Sequence, residues 1–298
     1  MKKLLIALTT IFISTLCIAQ QQVPSAWAFN IANVQGSYYR ALLEQANQNQ
    51  TKYQFVPEHK PGAGGSIAAG YVSSHERMAL LGTATAYFVR PYLYDNAGYT
   101  FDQFRPVYLI ANSPVALTSR NKDLRTILAQ DRIAIGTAGP GSGTHLYALK
   151  FKDRHPDKNI VIVPYKSSTE AVQDVLGGHI DLTYEFLGDA EAKGVRILGT
   201  TGPTKIKNYA QLKDMGYPDA VDFIGIYHIL VKKNTPDEVV RELRVMFAQA
   251  ERSDRFQELY RSDYSFKPVL KTDRDYTDWY NVNIKTYRTL ITRDMKPD

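Results

Sequence analysis

Short apolar runs alternate along the chain with segments whose apolar residues recur at helical spacing. Phe55-Val56, Met78–Thr83, Val107–Ala111, Val115–Thr118, Ile133–Thr137, Val161–Tyr165, Ile180–Tyr184, Val195–Thr200 and Tyr227–Val231 read as strands. Tyr38–Ala46, Ile67–Ser74, His145–Lys152, Ser168–Leu176 and Val239–Ala250 read as helices. Punctuation follows the same rhythm. Pro57 and Pro61 are expected to end the strand at Phe55, Asn112-Ser113-Pro114 to separate two strands, and Gly177-Gly178 to stop a helix. Thr235-Pro236-Asp237-Glu238 has the form of a capping box, with Thr235 as the cap, Pro236 first in the helix and Glu238 reaching back. The alternation predicts an α/β architecture with a parallel sheet. Ligands of such sheets sit beyond the carboxyl ends of the strands, where Thr83, Thr137 and Thr200 fall here.

Two glycine-rich segments interrupt the pattern. Pro61-Gly62-Ala63-Gly64-Gly65-Ser66 lies between a strand and a helix, a general way to build an anion site from backbone N–H groups. It is not a P-loop, because no Lys follows the glycines. It is not a dinucleotide fingerprint, because Ile67 stands where the third Gly belongs. The second segment is Gly136-Thr137-Ala138-Gly139-Pro140-Gly141-Ser142-Gly143. A nucleophile elbow needs Ser third in Gly-x-Ser-x-Gly, and Ser142 sits fourth; a serine hydrolase is therefore a remote alternative. The six histidines form neither His-x-His nor His-Glu-x-x-His, so neither a metal nor another cofactor is expected.

Met1-Lys2-Lys3 followed by the apolar stretch Leu4–Ala19 has the form of a secretory signal peptide cut after Ala19. Lipidation at Cys17 is the competing reading, and Leu16 before it is unfavourable. Cys17 is the only cysteine, so a chain starting at Gln20 is exported without disulfides, which suits a bacterial periplasm. The formal net charge is +6, or +4 without Lys2 and Lys3. Lys and Arg are scattered among acids, which argues against nucleic acid; a mild positive field favours a small anion.

Taken together, these segments resemble the periplasmic substrate-binding proteins of tripartite tricarboxylate transporters, the Bug family. The resemblance rests on Pro61–Gly65, on the loop Gly136–Gly143, and on Val163-Pro164-Tyr165-Lys166 with Ala171–Gly178 and Asp181. Gly194–Gly199, Met215-Gly216-Tyr217-Pro218 and Asn234-Thr235-Pro236 continue it in the same order. One departure stands out: the family's paired Gly and Asp after the first strand are absent from Phe29–Arg40. The resemblance implies a two-lobed periplasmic binding protein, type II-like, that closes by a hinge. Its lobes would be residues 20–119 with 225–298, and residues 120–224. It implies a monomer, not an enzyme, that captures a small carboxylate and delivers it to the transporter's membrane subunits. A ligand-sensing protein presenting its cargo to a membrane sensor would share the same fold.

The expected ligand contacts follow from the loops. Thr137, Ser142, Gly143 and Thr144 open a helix and can present hydroxyls and N–H groups. Asn33, Gln35 and Ser37 would face them from the other lobe. Thr83 and Thr85 follow a buried strand. Tyr165 can stack on a ligand or pack in the core, and Asp181 can hold a ligand amino group or cap backbone N–H groups.

Overall fold

The computed structural model describes residues 25–31, 37–49, 51–60, 65–75, 78–83, 89–94 and 97–291. The proposed cleavage site after Ala19 and Cys17 lie outside the described residues. The chain runs β1 (Ser25–Ile31), α1 (Ser37–Asn49), β2 (Tyr53–His59), α2 (Ser66–Ser74), β3 (Met78–Thr83), α3 (Arg90–Leu93) and the long strand β4 (Phe104–Ser119). It continues with α4 (Leu124–Leu128), β5 (Arg132–Thr137), α5 (Gly143–Arg154), β6 (Asn159–Pro164), α6 (Ser168–Gly177), β7 (Leu182–Phe186), α7 (Leu187–Lys193) and β8 (Arg196–Thr200). Strand β9 (Ile224–Lys232) then returns, followed by α8 (Asp237–Ala250), α9 (Asp254–Ser262) and α10 (Asp273–Leu290).

The strand order is β2-β1-β3-β9-β4-β7-β5-β6, with β8 on β4. The alternation of strands and helices predicts a parallel sheet, and the structure corrects this to a mixed one. β1 pairs in parallel with β2 and β3, and β5 with β6 and β7. The strands between these parallel groups are antiparallel: β9 against β3 and β4, and β4 against β7 and β8. β4 belongs to both halves. Residues Phe104–Pro114 pair with β9, and Val115–Ser119 with β7 and β8.

Three expectations about punctuation are overturned. Pro57 does not end its strand; it lies inside β2, paired opposite Phe29. β2 is at the end of the sheet order, and an edge strand has a free side for a residue without an N–H. Asn112-Ser113-Pro114 is not a turn but the middle of β4. Asn112 exchanges both backbone hydrogen bonds with Phe266, at 2.8 and 2.9 Å, so tertiary pairing overrides local turn chemistry there. Thr235 does not cap α8. The cap position is Pro236, and no side chain caps the first turn. Instead, Arg105 donates to the Thr235 carbonyl at 3.0 Å and to Asp237 at 2.6 Å, fixing the start of the helix from β4.

The core of the first half forms where α1 and α8 cover the sheet. Leu42, Leu43 and Ala46 are buried with Val240, Leu243 and Phe247. Phe247 packs on Phe55, ring centroids 5.4 Å apart, and complete burial of a Phe is worth roughly 1.5–3 kcal/mol. Tyr39 is fully buried because its hydroxyl has a partner: it donates to the Gly82 carbonyl at 2.6 Å. In the second half, Tyr147 of α5 stacks on Phe223 at 4.4 Å and anchors α5 where the chain returns to β9.

Candidate functional site

The carboxyl end of β5 leads into the glycine-rich turn and then α5, and this turn is ordered by its own polar groups. Gly139 and Gly141 have φ of 86° and 76°, a left-handed conformation that favours glycine. Ser142 is the N-cap of α5: its Oγ accepts the His145 backbone N–H at 3.2 Å. Thr144 Oγ1 accepts the Ala138 N–H at 2.8 Å and lies 3.1 Å from Ser142 Oγ. The Gly141 N–H donates to His145 Nδ1 at 3.1 Å, and burial holds that imidazole below its ordinary pKa, so the neutral, accepting form is favoured. The ring of His145 therefore braces the turn, and the hydrogen bonds of Ser142 and His145 are those of a helix cap. Thr137, at the end of β5, is fully buried, and its hydroxyl has no hydrogen-bond partner among the described residues.

A cavity of about 70 Å³ lies at this turn. Ser142, Gly143 and Thr144 line it from α5, Glu185 and Phe186 from the end of β7, and Gly225 from β9. It thus sits where the two halves of the sheet join. Gly225 cannot be replaced there without movement, because a Cβ would lie 1.9 Å from the Phe186 ring. The space is enough to admit a carboxylate head.

Glu185 is 1% exposed and was not anticipated from the sequence. Its carboxylate accepts from Lys193 at 2.8 Å, from the Phe186 N–H at 2.9 Å and from Ser168 Oγ at 3.2 Å. Burial raises its pKa and the Lys193 ammonium opposes the rise. The signal available in the sequence was an acid inside an otherwise apolar strand. Arg90 was also missed. It reaches from α3 to the turn before α5 and donates to the Pro140 carbonyl at 3.2 Å.

The other expected residues separate. Tyr165 Oη donates to Asp174 at 2.5 Å, and its ring edge would lie 3.1 Å from a Cβ on Gly136. Burial, with Asp174 beside it, pushes that phenol up to about 12. Asp181 lies at the opposite end of the sheet from the turn, accepting from the Ala134 N–H at 2.9 Å and Gln130 Nε2 at 3.0 Å. Its oxygens do what the capping alternative describes. Ser37 is the first residue of α1 and Thr83 the last of β3. Asn33, Gln35 and Thr85 lie outside the described residues, as do Pro61–Gly64; Gly65 precedes α2 with φ 92°. Among the described residues no group of three or more His, Cys, Asp or Glu could hold a metal, and no helix is long and apolar enough to cross a membrane.

The profile of the tripartite tricarboxylate transporter family receptor matches residues 40–294, and the chain belongs to that family. A UPF0065 protein from the TAR-I ttuE-ttuC' intergenic region of Agrobacterium vitis is 29% identical over 68% of this chain and 63% of its own length. The chain thus spans a little under two thirds of the length of that curated relative. MatC from Rhodopseudomonas palustris, solved with bound malate, superposes with a TM-score of 0.80 at 16% identity, over 90% of this chain and 100% of that one. An R. palustris protein solved with adipate gives 0.78 at 21% identity, over 90% and 96%. The periplasmic binding protein BugD superposes with a TM-score of 0.76 at 21% identity, over 89% of this chain and 96% of that one, which gives the fold as that of a two-lobed periplasmic binding protein.

Proposed function

We propose that this family member is a periplasmic solute-binding receptor that captures a small carboxylate and hands it to the membrane subunits of a tripartite transporter. The observation that carries this reading is the turn Thr137–Thr144. It ends a strand, opens the 12-residue helix α5, borders a cavity at the junction of the two halves, and holds a buried hydroxyl without a partner. A helix N-terminus offers N–H groups and the positive end of the dipole, so it can hold a carboxylate head without a cation. The malate and adipate bound by the two R. palustris proteins are of the same chemical class.

In this reading the hinge lies along β4 and β9, which run between the two halves. Residues 20–119 with 225–298 form one lobe and 120–224 the other, joined by the long β4 and the returning β9. Export through the N-terminal signal segment would place the protein in the periplasm. A site built from dipoles and hydroxyls binds moderately and releases readily, which suits delivery of cargo.

Two measurements test the reading. A thermal-shift screen of small carboxylates should raise the melting temperature by mass action, since saturation at a hundredfold excess over Kd adds about 2.7 kcal/mol. A response to sugars or cations but to no acid overturns the carboxylate assignment. For the best acid, Gly143→Val should bind much more weakly than Ser142→Ala, because close backbone approach matters more than one hydroxyl. Parental affinity in a folded Gly143→Val protein would show that the carboxylate sits elsewhere.

A further inference from the structure

A cavity of about 760 Å³ lies on the first half of the molecule, lined by α8, by residues 267–272 and by the start of α10, with Tyr108 and Leu109 of β4. It shares no lining residue with the cavity at the turn before α5. Two walls make it. Along α8, Arg241, Val245 and Ala248 recur at i, i+4 and i+7 and so share one helix face. On the other side, Phe266 pairs with Asn112 of β4, and the chain then runs without helix or strand to Thr272. Thr272 caps α10 by accepting the Asp275 N–H at 3.2 Å, which fixes the far end of that wall.

Both walls are apolar and open. Val245 is 58% exposed and Val269 79%. A single exposed valine is ordinary, but these two line one cavity together with Ala248 and Leu270. Its volume falls among those of small-molecule sites, roughly 300–1,000 Å³. The charges in the lining do not balance. Its two acids, Glu251 and Asp273, are paired with Lys267 and Arg244. Those cations also lie over rings of the lining, Lys267 at 4.7 Å from the Tyr108 centroid and Arg244 at 4.1 Å from that of Tyr276. Arg241 and Lys271 line the cavity as well, both exposed, and neither makes an ion pair among the described residues. The acids closest to them in sequence are engaged: Asp237 by Arg105, and Asp275 by the backbone N–H groups of Lys271 and Thr272. The lining is thus apolar with two unmatched positive charges.

We propose that this cavity is a small-molecule site separate from the one between the halves, and that it takes an anion with an apolar body, an alkyl or aryl carboxylate or sulfonate free in solution. Val245, Ala248, Val269 and Leu270 cover the body, and Arg241 and Lys271 meet the charged head. A small polar acid has too little apolar surface to gain from these walls. An apolar cation gains from the walls but meets two like charges. The site stands independently of the receptor reading, because all its lining residues belong to the first half and none to the turn Thr137–Thr144.

The test uses the full protein and titration calorimetry with decanoate and decylammonium, which share an apolar body and differ in charge, both below the concentrations at which they form micelles. The parent should bind decanoate about tenfold or more tightly than decylammonium, the scale of a charge-assisted contact. Arg241→Gln combined with Lys271→Gln should bring that ratio to within about twofold by weakening decanoate. Ala248→Trp, which fills the cavity, should weaken both ligands about tenfold or more. Gly143→Val, at the turn before α5, should bind decanoate as the parent does. Thermal melts establish that each variant remains folded. Decanoate affinity unchanged in Ala248→Trp or in the double variant overturns the proposal. So does a loss confined to Gly143→Val, which would put the anion at the turn instead. Sedimentation of the parent with vesicles of phosphatidylglycerol and phosphatidylethanolamine, without binding of free decanoate, would make the face a membrane contact and overturn it too. Binding of neither decanoate nor vesicles overturns the proposal and leaves the receptor reading, which the screen of small carboxylates tests, as it was.

Discussion

Thr137 carries a hydroxyl from which folding alone gains nothing. It is fully buried and has no partner among the described residues, and leaving such a group unsatisfied costs about 1–3 kcal/mol. Valine has nearly the same shape and suits a strand end, so Thr137→Val should melt at the same temperature as the parent or higher. If the hydroxyl is kept for the ligand, the same substitution should weaken carboxylate binding. A rise in melting temperature with unchanged affinity would deny Thr137 a role in binding. Thr137, Ser142 and Thr144 were legible in the sequence because their meaning is local: a strand end, glycines, then a helix start. Arg90 and Glu185 were not. Arg90 matters only because of a carbonyl 50 residues away, and Glu185 only because Lys193 and Ser168 converge on it from two helices.

At the scale of elements, α8 shows how a helix start is transferred from its own sequence to a neighbour. Thr235-Pro236-Asp237-Glu238 satisfies the capping pattern, yet Arg105 of β4 takes both the Thr235 carbonyl and Asp237. The guanidinium holds Asp237 below the usual carboxylate range, and an acid in the first turn is favoured by the dipole as well. Arg105→Ala should therefore lower the melting temperature, while Thr235→Ala should leave it indistinguishable from the parent. The reverse order in differential scanning calorimetry would restore the capping box. The same override explains the other misread punctuation. Pro57 is tolerated because β2 is an edge, and Asn112 stays extended because Phe266 supplies its hydrogen bonds. Element type was readable from periodicity, whereas continuity of β4 through Asn112-Ser113-Pro114 depends on a segment more than a hundred residues later.

Across the whole molecule, the segment after α9 ties the two halves together. Ser265 Oγ meets Ser113 of β4 at 2.6 Å and Tyr38 of α1 at 2.8 Å. Tyr264 then reaches into the second half, donating to Glu191 of α7 at 2.6 Å, with Lys207 over its ring at 4.7 Å. Tyr264 and Lys207 are both left-handed, with φ of 54° and 47°. Asp263 beside them is pushed up to about 6, by burial first and then by Asp189; Glu185, paired with Lys193, also raises it, and the Tyr38 hydroxyl opposes the rise. Its folded pKa lies above its unfolded one of about 3.9, so the stability it contributes is complete below that value and is lost as the pH rises through 6. Ionised Asp263 therefore weakens the fold at neutral pH. Asp263→Asn should raise stability by about 2 kcal/mol at pH 7 and leave it unchanged near pH 4. Denaturant melts at the two pH values check this, and an equal effect at both would remove the charge from the explanation.

Gly188 packs against the segment after α9, and it offers a way to test the proposed hinge closure. A Cβ at Gly188 would lie 2.4 Å from Asp263 Oδ1, 2.8 Å from the Ser262 carbonyl oxygen and 2.9 Å from Asp263 Cα. Two of these three atoms are backbone, so rotating a side chain does not relieve the clash. Alanine is a better helix former than glycine by about 1 kcal/mol, so α7 itself is not harmed by the change. In Gly188→Ala the added methyl should instead act as a wedge that favours the open arrangement. When the binding-competent form is populated only in part, the apparent Kd rises by the inverse of that fraction, for every ligand alike. The expected result is weaker binding of succinate and butyrate by one common factor, with a larger radius of gyration in small-angle scattering and little change in melting temperature without ligand. Parental affinity together with a parental radius of gyration would show that the contact at Gly188 yields without opening the cleft, and that closure is governed elsewhere along β4 and β9.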